Sequence, residues 1–396
     1  MSTVPAVMPT YSRVDLSFDR GEGAWLLAND GRRFLDFASG IAVTGLGHAH
    51  PHLVEALTSQ AAKLWHCSNL FRIPGQERLA QRLVDGSFAD SVFFTNSGAE
   101  AIEAALKLAR RHQHVVRGET ARYRTIVTRN AFHGRTLATV TAGGQAKHVK
   151  GFEPLVEGFD RVDFGDLDAA RAAVTEETAA ILVEPIQGEG GIFPAPEGYL
   201  SGLRRLADEH GLLLILDEVQ TGVGRTGKLF AHEWDGIIPD VVAIAKGIGA
   251  GFPMGACLAR EPYASALVAG SHGSTFGGNP LAMAVGNAVL DIILAEGFLD
   301  GVSARGADLI ARLDGLVHRH PTILAGVRGR GLMIGLVCAA PNGVVLNALR
   351  EQGLLAVPAE AGVVRLLPPM IIGEAEVTAA EEMIDRACVH LEREAA

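Results

Sequence analysis

Cysteine, lysine and long apolar runs are all scarce in this chain of 396 residues, and each shortage removes a class of function. The four cysteines, Cys67, Cys257, Cys338 and Cys388, stand far apart with no CxxC pair. That spacing suggests neither a zinc site nor a disulfide framework, and it points to a reducing compartment. No uncharged apolar run approaches the ~20 residues needed to span a bilayer. The first twenty residues hold Arg13, Asp15, Asp19 and Arg20 without an apolar segment, so no signal peptide and a cytoplasmic location are expected. A formal net charge of -10 disfavours nucleic acid and anionic membrane as partners. What is present is an ordinary globular balance, 48% hydrophobic and 20% charged, in a chain long enough for a large core and two domains of unequal size.

Only six lysines occur, and Lys246 alone directly follows a buried apolar run. It belongs to the stretch LLLILDEVQTGVGRTGKLFAHEWDGIIPDVVAIAKG, in which two such runs, residues 212–216 and 241–245, end abruptly in Asp217 and Lys246. Apolar runs of this length read as strands buried on both faces, which in α/β proteins are usually parallel. Parallel strands put their carboxyl ends on one edge, outside which open α/β sheets bind ligands. Two readings follow. Asp217 and Lys246 are a structural ion pair, or they are the minimum apparatus of pyridoxal phosphate (PLP) chemistry. In the second, the amine forms a Schiff base and the carboxylate keeps a pyridine nitrogen protonated. Burial would lower the lysine pKa and favour the neutral nucleophile.

The same pattern of strand, polar turn and helix recurs along the chain and indicates a mainly parallel sheet covered by helices. Asn29, Asp30 and Gly31 separate two strand-like runs and predict a hairpin. His48, His50 and His52 alternate like metal ligands, but Pro51 and the adjoining glycines make the stretch a helix entry with no Cys or carboxylate to complete a set. In SVFFTNSGAEA a strand turns into a helix whose apolar spacing runs from Glu100 onward, so Ser97, Gly98 and Ala99 are candidate ligands of a phosphate at the helix start, against simple N-capping by Asn96 or Ser97. Phe132, His133 and Arg135 cluster at the next strand end, where an aromatic plane beside a guanidinium suits a flat ring and a carboxylate. Glu184 ends a further buried run, and Gln187 and Glu189 follow on a glycine-rich loop. Gly222, Gly224 and Gly227 match GxGxxG, yet they open no convincing helix, and the next strand ends in Lys246 where an acidic residue would bind ribose.

The motifs NSGAEA, AFHGRT, VEPIQGEGG, LDEVQTGVGRTG, AKG and HGSTFGGNPLA, in this order and spacing, closely resemble the class III (omega) aminotransferases. The likeness runs from GIAVTGLGHAHPHL to VVRLLPPM. It implies an α/β, fold-type I PLP transferase with a mainly parallel sheet in a large domain and a smaller α+β domain. On that basis residues 1–45 join the small domain, 46–290 form the large cofactor-binding domain and 291–396 the small C-terminal domain. The resemblance implies that Lys246 carries the cofactor and Asp217 pairs with its ring nitrogen. Phe132 and Val219 would enclose the ring, Gln220 would reach its phenolic oxygen, and Ser97, Gly98 and Ala99 would bind its phosphate. Thr275 would complete the phosphate site of a neighbouring subunit, which implies a homodimer with shared sites. Arg135, with Ser274 nearby, would hold a substrate α-carboxylate. Glu189 and Arg365 would form a switch that opens for 2-oxoglutarate or glutamate. Within the class the likeness is strongest to members acting on N-acetylornithine. Others use succinylornithine, succinyldiaminopimelate, ornithine or 4-aminobutyrate, and intact Asp217, Gln220 and Lys246 argue against a non-catalytic regulatory relative.

Overall fold

The computed structural model describes residues 5–395. Its centre is a seven-stranded sheet made of β1 (Ser91–Thr95), β2 (Arg124–Thr128), β3 (Phe159–Val162), β4 (Thr178–Val183), β5 (Leu213–Asp217), β6 (Val241–Ile244) and β7 (Gly255–Ala259). The spatial order is β1-β7-β6-β5-β4-β2-β3. Strands β2 to β6 pair in parallel. Only β7 runs antiparallel to its neighbours β6 and β1.

The apolar runs are continuous because each strand feeds two cores. Leu214, Leu216, Val242 and Ile244 face a core shared with Leu200, Leu203 and Leu206 of the helix Tyr199–His210. Leu213, Ile215, Val241 and Ala243 face the other, packed by Ala101, Ile102, Ala105 and Leu108 of the helix Gly98–Arg111. Alternate side chains of a strand point to opposite faces, so helices on both sides demand an apolar residue at every position. The helix Tyr199–His210 ends at Gly211, whose φ of +64° is the left-handed cap that glycine adopts without strain.

The two ends of the chain meet. The strands Trp25–Ala28 and Arg33–Asp36 form the expected antiparallel hairpin, and Arg33–Asp36 also pairs in parallel with Leu354–Leu355. Strands Leu324–Arg330, Met333–Cys338, Val357–Ala359 and Val363–Leu366 make a separate antiparallel sheet. The three histidines diverge: His48 Nε2 meets Asp36 Oδ2 at 2.8 Å, while His52 Nε2 meets Asp291 Oδ2 at 2.9 Å. Gly222, Gly224 and Gly227 lie in turns, where Gly224 packs on Met370 and Gly227 on Ser303. Among the described residues no single helix is long and apolar enough to cross a membrane. The pair Pro280–Ile293 and Phe298–Arg319 passes that test only together and is bent by 71°.

One stack of backbones fixes the C-terminal elements to the loop that follows β5. A Cβ built on Gly306, inside the helix Phe298–Arg319, would lie 2.4 Å from the Gly331 carbonyl oxygen. A Cβ on Gly331 would in turn lie 2.5 Å from the Thr226 carbonyl carbon. Alanine normally favours an open helix over glycine by about 1 kcal/mol. Here Gly306→Ala is expected to destabilise by about 1–3 kcal/mol through overpacking. Urea unfolding measures it, and a more stable variant would show that these backbones separate freely.

Candidate active site

Strands β5 and β6 are parallel neighbours, with Asp217 in register with Ala243, so both chains leave the sheet at the same edge. Beyond β6 the backbone turns at once into Lys246–Ile248, and Lys246 takes a φ of +47°. That left-handed conformation costs a non-glycine residue about 1–2 kcal/mol. The Gly249 and Ala250 N–H groups hold the turn by donating to the Lys246 carbonyl at 3.0 and 3.1 Å. Asp217 and Lys246 border a cavity of about 330 Å³, and so do Ser97, Gly98, Ala99, Phe132, Val219 and Gln220. Eight of the thirteen sequence-nominated residues thus meet around one space.

Asp217 and Lys246 share the cavity without pairing. Asp217 is only 4% exposed, and its partners lie elsewhere: Oδ1 accepts the Val219 N–H at 3.0 Å, and Oδ2 meets His133 Nδ1 at 2.7 Å. Among the described residues no carboxylate lies within ion-pair distance of Lys246. Burial pushes the Lys246 amine down to about 8, with Arg365 acting in the same direction, while Glu189, Asp217 and Glu184 pull it back. The amine still holds its proton more often than not at neutral pH, but it releases it far more readily than an exposed lysine and so reaches the neutral state a nucleophile or base needs.

His133 and Glu184 form a second buried layer. Burial alone would lower the His133 pKa, but the hydrogen bond and charge of Asp217, aided by Glu184, raise it. Glu184 is driven well above the usual carboxylate range, first by burial and then by the Asp217 charge. Its two oxygens accept the N–H groups of Phe132 at 3.2 Å and Gly188 at 3.3 Å, tying the two loops that flank the cavity. His133 Nε2 is buried with no partner.

At the other end of the cavity the helix Gly98–Arg111 presents its start. Ser97 caps it, its hydroxyl oxygen accepting the Glu100 N–H at 3.3 Å and its carbonyl the Ala101 N–H. The N–H groups of Gly98 and Ala99 remain at the cavity wall, and an unpaired helix start attracts anions. A Cβ on Gly98 would come within 2.8 Å of Val219, so glycine lets the helix start approach the Val219 side chain. The helix begins two residues before the Glu100 expected from apolar spacing, because Ser97 is the cap.

Two nominated residues, Arg365 and Glu189, lie behind Gln220 rather than on the cavity wall itself. Arg365, 1% exposed on the strand Val363–Leu366, donates from Nη1 to Glu189 Oε1 at 2.7 Å and to Gln220 Oε1 at 3.0 Å. Three nominated residues stand apart from the cavity wall. Arg135 is exposed, its guanidinium 5.5 Å from the Phe132 ring centre. Ser274 Oγ accepts from Asn96 Nδ2 at 3.1 Å, which places it beside the helix start. Thr275 is exposed and borders a second cavity with Ser68, Asn69 and Leu70.

Sequence reasoning gave no role to Val43 or to residues 251–254, which also line the main cavity. Nor did it assign work to His133 and Glu184. Both were visible as polar residues at the ends of buried runs, the same signal that marked Asp217.

Comparison with known proteins agrees with this architecture. The chain matches the family Aminotransferase class-III over residues 7–388. It is 62% identical over 372 residues to the acetylornithine aminotransferase of Mesorhizobium japonicum, covering 94% of this chain and 93% of the relative. Among solved structures, the ornithine aminotransferase of Toxoplasma gondii, with PLP at partial occupancy in its active site, superposes with a TM-score of 0.94. It is 32% identical and the match covers 98% of this chain and 93% of that one. The acetylornithine aminotransferase of Elizabethkingia anophelis gives a TM-score of 0.87 at 32% identity, covering 97% and 96%. The chain belongs to the class III aminotransferases.

The Asp217–His133 contact makes a stability prediction. His133→Ala leaves Asp217 buried with one N–H donor, and breaking a buried pair in this way typically costs about 3–5 kcal/mol. Because the site opens on a cavity, the lower end, about 3 kcal/mol, is expected in urea titrations. A loss under about 1 kcal/mol would show that solvent replaces the imidazole.

Proposed function

We propose that the protein is a PLP-dependent transaminase of the cytoplasm. It would move the terminal amine of N2-acetyl-L-ornithine to 2-oxoglutarate, giving N-acetyl-L-glutamate 5-semialdehyde and L-glutamate, a step of arginine biosynthesis. One observation carries this reading: a half-buried amine and a buried carboxylate share a cavity without pairing, below an open helix start. Such a site suits a component that is cationic at one end, anionic at the other and flat between. The residues fit PLP in each respect. Asp217 and His133 stand where a protonated ring nitrogen is stabilised, Val219 and Phe132 supply the two faces, and the Ser97–Gly98–Ala99 turn accepts a phosphate. PLP bound there supplies an electron sink for the pair left when a carbon beside the reacting amine loses its proton.

Lys246 is the amine that would hold the cofactor, and in its neutral form it is the base that would carry that proton. Arg135, beside the cavity-lining Phe132, would with Ser274 hold the α-carboxylate of acetylornithine far from the reacting amine. Glu189 keeps Arg365 occupied meanwhile. A five-carbon dicarboxylate such as 2-oxoglutarate needs a second cation, and Arg365 serves when Glu189 turns aside. The two substrates use one site in turn, which implies ping-pong kinetics.

A second copy of the chain completes the site. Leu70 is 88% exposed, and Trp65, Phe71 and Phe276 also point outward. Leu70 and Thr275 border the second cavity, and Asn69 joins the two segments by donating to the carbonyls of Ser274 and Gly277 at 3.1 and 2.8 Å. An apolar surface of this kind marks a protein interface. Thr275 on it would reach the partner's phosphate site in a homodimer.

Lys246→Ala is expected to abolish the visible absorbance of the lysine-bound cofactor and to cut turnover by about 10³-fold or more. An unchanged spectrum would sink the assignment. The rate at which apoprotein takes up PLP should rise with pH through about 8, where the Lys246 amine loses its proton, and level off above it. Glutamate release from acetylornithine, ornithine and 4-aminobutyrate separates the substrates. Acetylornithine is expected to lead in kcat/KM by about tenfold or more, and a lead for ornithine would move the assignment to that activity.

A further inference from the structure

Glu189 and Arg365 do not form an isolated pair. Arg365 Nη1 donates to Gln220 Oε1 at 3.0 Å as well as to Glu189, and Nη2 donates to the Pro358 carbonyl at 3.3 Å. A guanidinium has donors and no acceptor, so Gln220 has to present its oxygen to Arg365. Its NH₂ group is thereby fixed as the side left to donate elsewhere. Gly188 completes the clamp. A Cβ there would come 2.4 Å from Gln220 Nε2, so only glycine leaves room for the amide in this orientation. Gln220 is buried at the cavity wall, and Glu189 and Arg365 are close enough to Lys246 to act on its charge.

We propose that Arg365 is a positioning residue for Gln220, so that the carboxylate switch transmits its state to the cofactor edge through one hydrogen bond. The proposal rests on the PLP reading above. While Arg365 is held by Glu189, Gln220 is locked as a donor toward the cavity, the orientation that stabilises a phenolic oxygen in its anionic form. When Glu189 turns aside and a dicarboxylate takes its place, the Arg365 guanidinium re-aims its Nη1 donor at the incoming carboxylate without leaving its buried position, so the amide loses its lock and the donor direction is no longer imposed. The cofactor edge thus differs between the two half-reactions although no residue of the cavity wall is exchanged. Glu189, Arg365, Asp217 and Glu184 all bear on the Lys246 amine, and His133 stands behind Asp217, so the effect of the hydrogen bond has to be separated from simple charge.

A double-mutant cycle makes that separation. In the PLP-loaded protein without substrate, the visible absorbance is titrated against pH for wild type, Gln220→Ala, Arg365→Met and the double variant. The charge lost with Arg365 acts in both backgrounds and cancels in the cycle. The hydrogen bond predicts non-additivity of about half a pH unit or more in the apparent pKa. Additive shifts, agreeing to within about 0.2 pH units, would overturn the proposal. Glutarate, an unreactive dicarboxylate, gives a second readout: it should shift the wild-type titration at least twice as far as that of Gln220→Ala. Equal shifts would again overturn the proposal. If Arg365→Met fails to fold or to hold PLP, the glutarate titration of wild type and Gln220→Ala, which needs no Arg365 variant, decides alone. If wild type shows no absorbance that Lys246→Ala removes, the PLP reading itself has failed, an outcome distinct from additivity in a protein that binds the cofactor.

Discussion

An amine and a carboxylate buried at adjacent strand ends would ordinarily collapse into an ion pair, and the structure depends on preventing that. Asp217 is kept busy on its own side by His133 and by the Val219 N–H. Lys246 is started in the wrong direction for a strand continuation by its left-handed backbone, and its amine reaches the cavity with no carboxylate within ion-pair distance among the described residues. The cost of keeping the two apart is carried by the surrounding fold. Two apolar layers hold β5 and β6 in fixed register, so the ends cannot drift together.

Much of the sheet was legible because the signal is redundant. A strand covered on both faces has to be apolar at every position, so LLIL and VVAI declared both their burial and their ends. The start of the helix Gly98–Arg111 was less legible, because Ser97 caps it two residues before the apolar spacing begins. The antiparallel strand β7 was not legible, since GACLA reads like any other buried run and direction leaves no mark on composition.

The site divides along the same physical line. Residues at strand ends were nominated by an abrupt change from apolar to charged, and this brought together Asp217 and Lys246. The phosphate-type turn at Ser97 was nominated by small residues before a helix. His133 and Glu184 carry the same end-of-strand mark but were overlooked as a layer. Their role comes from contact with Asp217 and with the N–H groups of Phe132 and Gly188, and contacts across 84 or 52 residues have no local signature. Val43 and residues 251–254 enter the cavity wall purely by tertiary placement.

The arrangement around Gln220 shows why one site can serve two substrates of different charge. A carboxylate such as Glu189, one-quarter exposed on a glycine-rich loop, holds a guanidinium that is almost wholly buried. The exposed partner is the one able to move, because solvent receives its charge at little cost, whereas a buried arginine without a carboxylate is expensive. The switch is therefore biased toward the paired state until another carboxylate arrives to take the place of Glu189. On the reading proposed above, discrimination would follow from counting cations: a substrate with one carboxylate would be gripped at Arg135 alone, and only a dicarboxylate could both occupy Arg135 and satisfy Arg365.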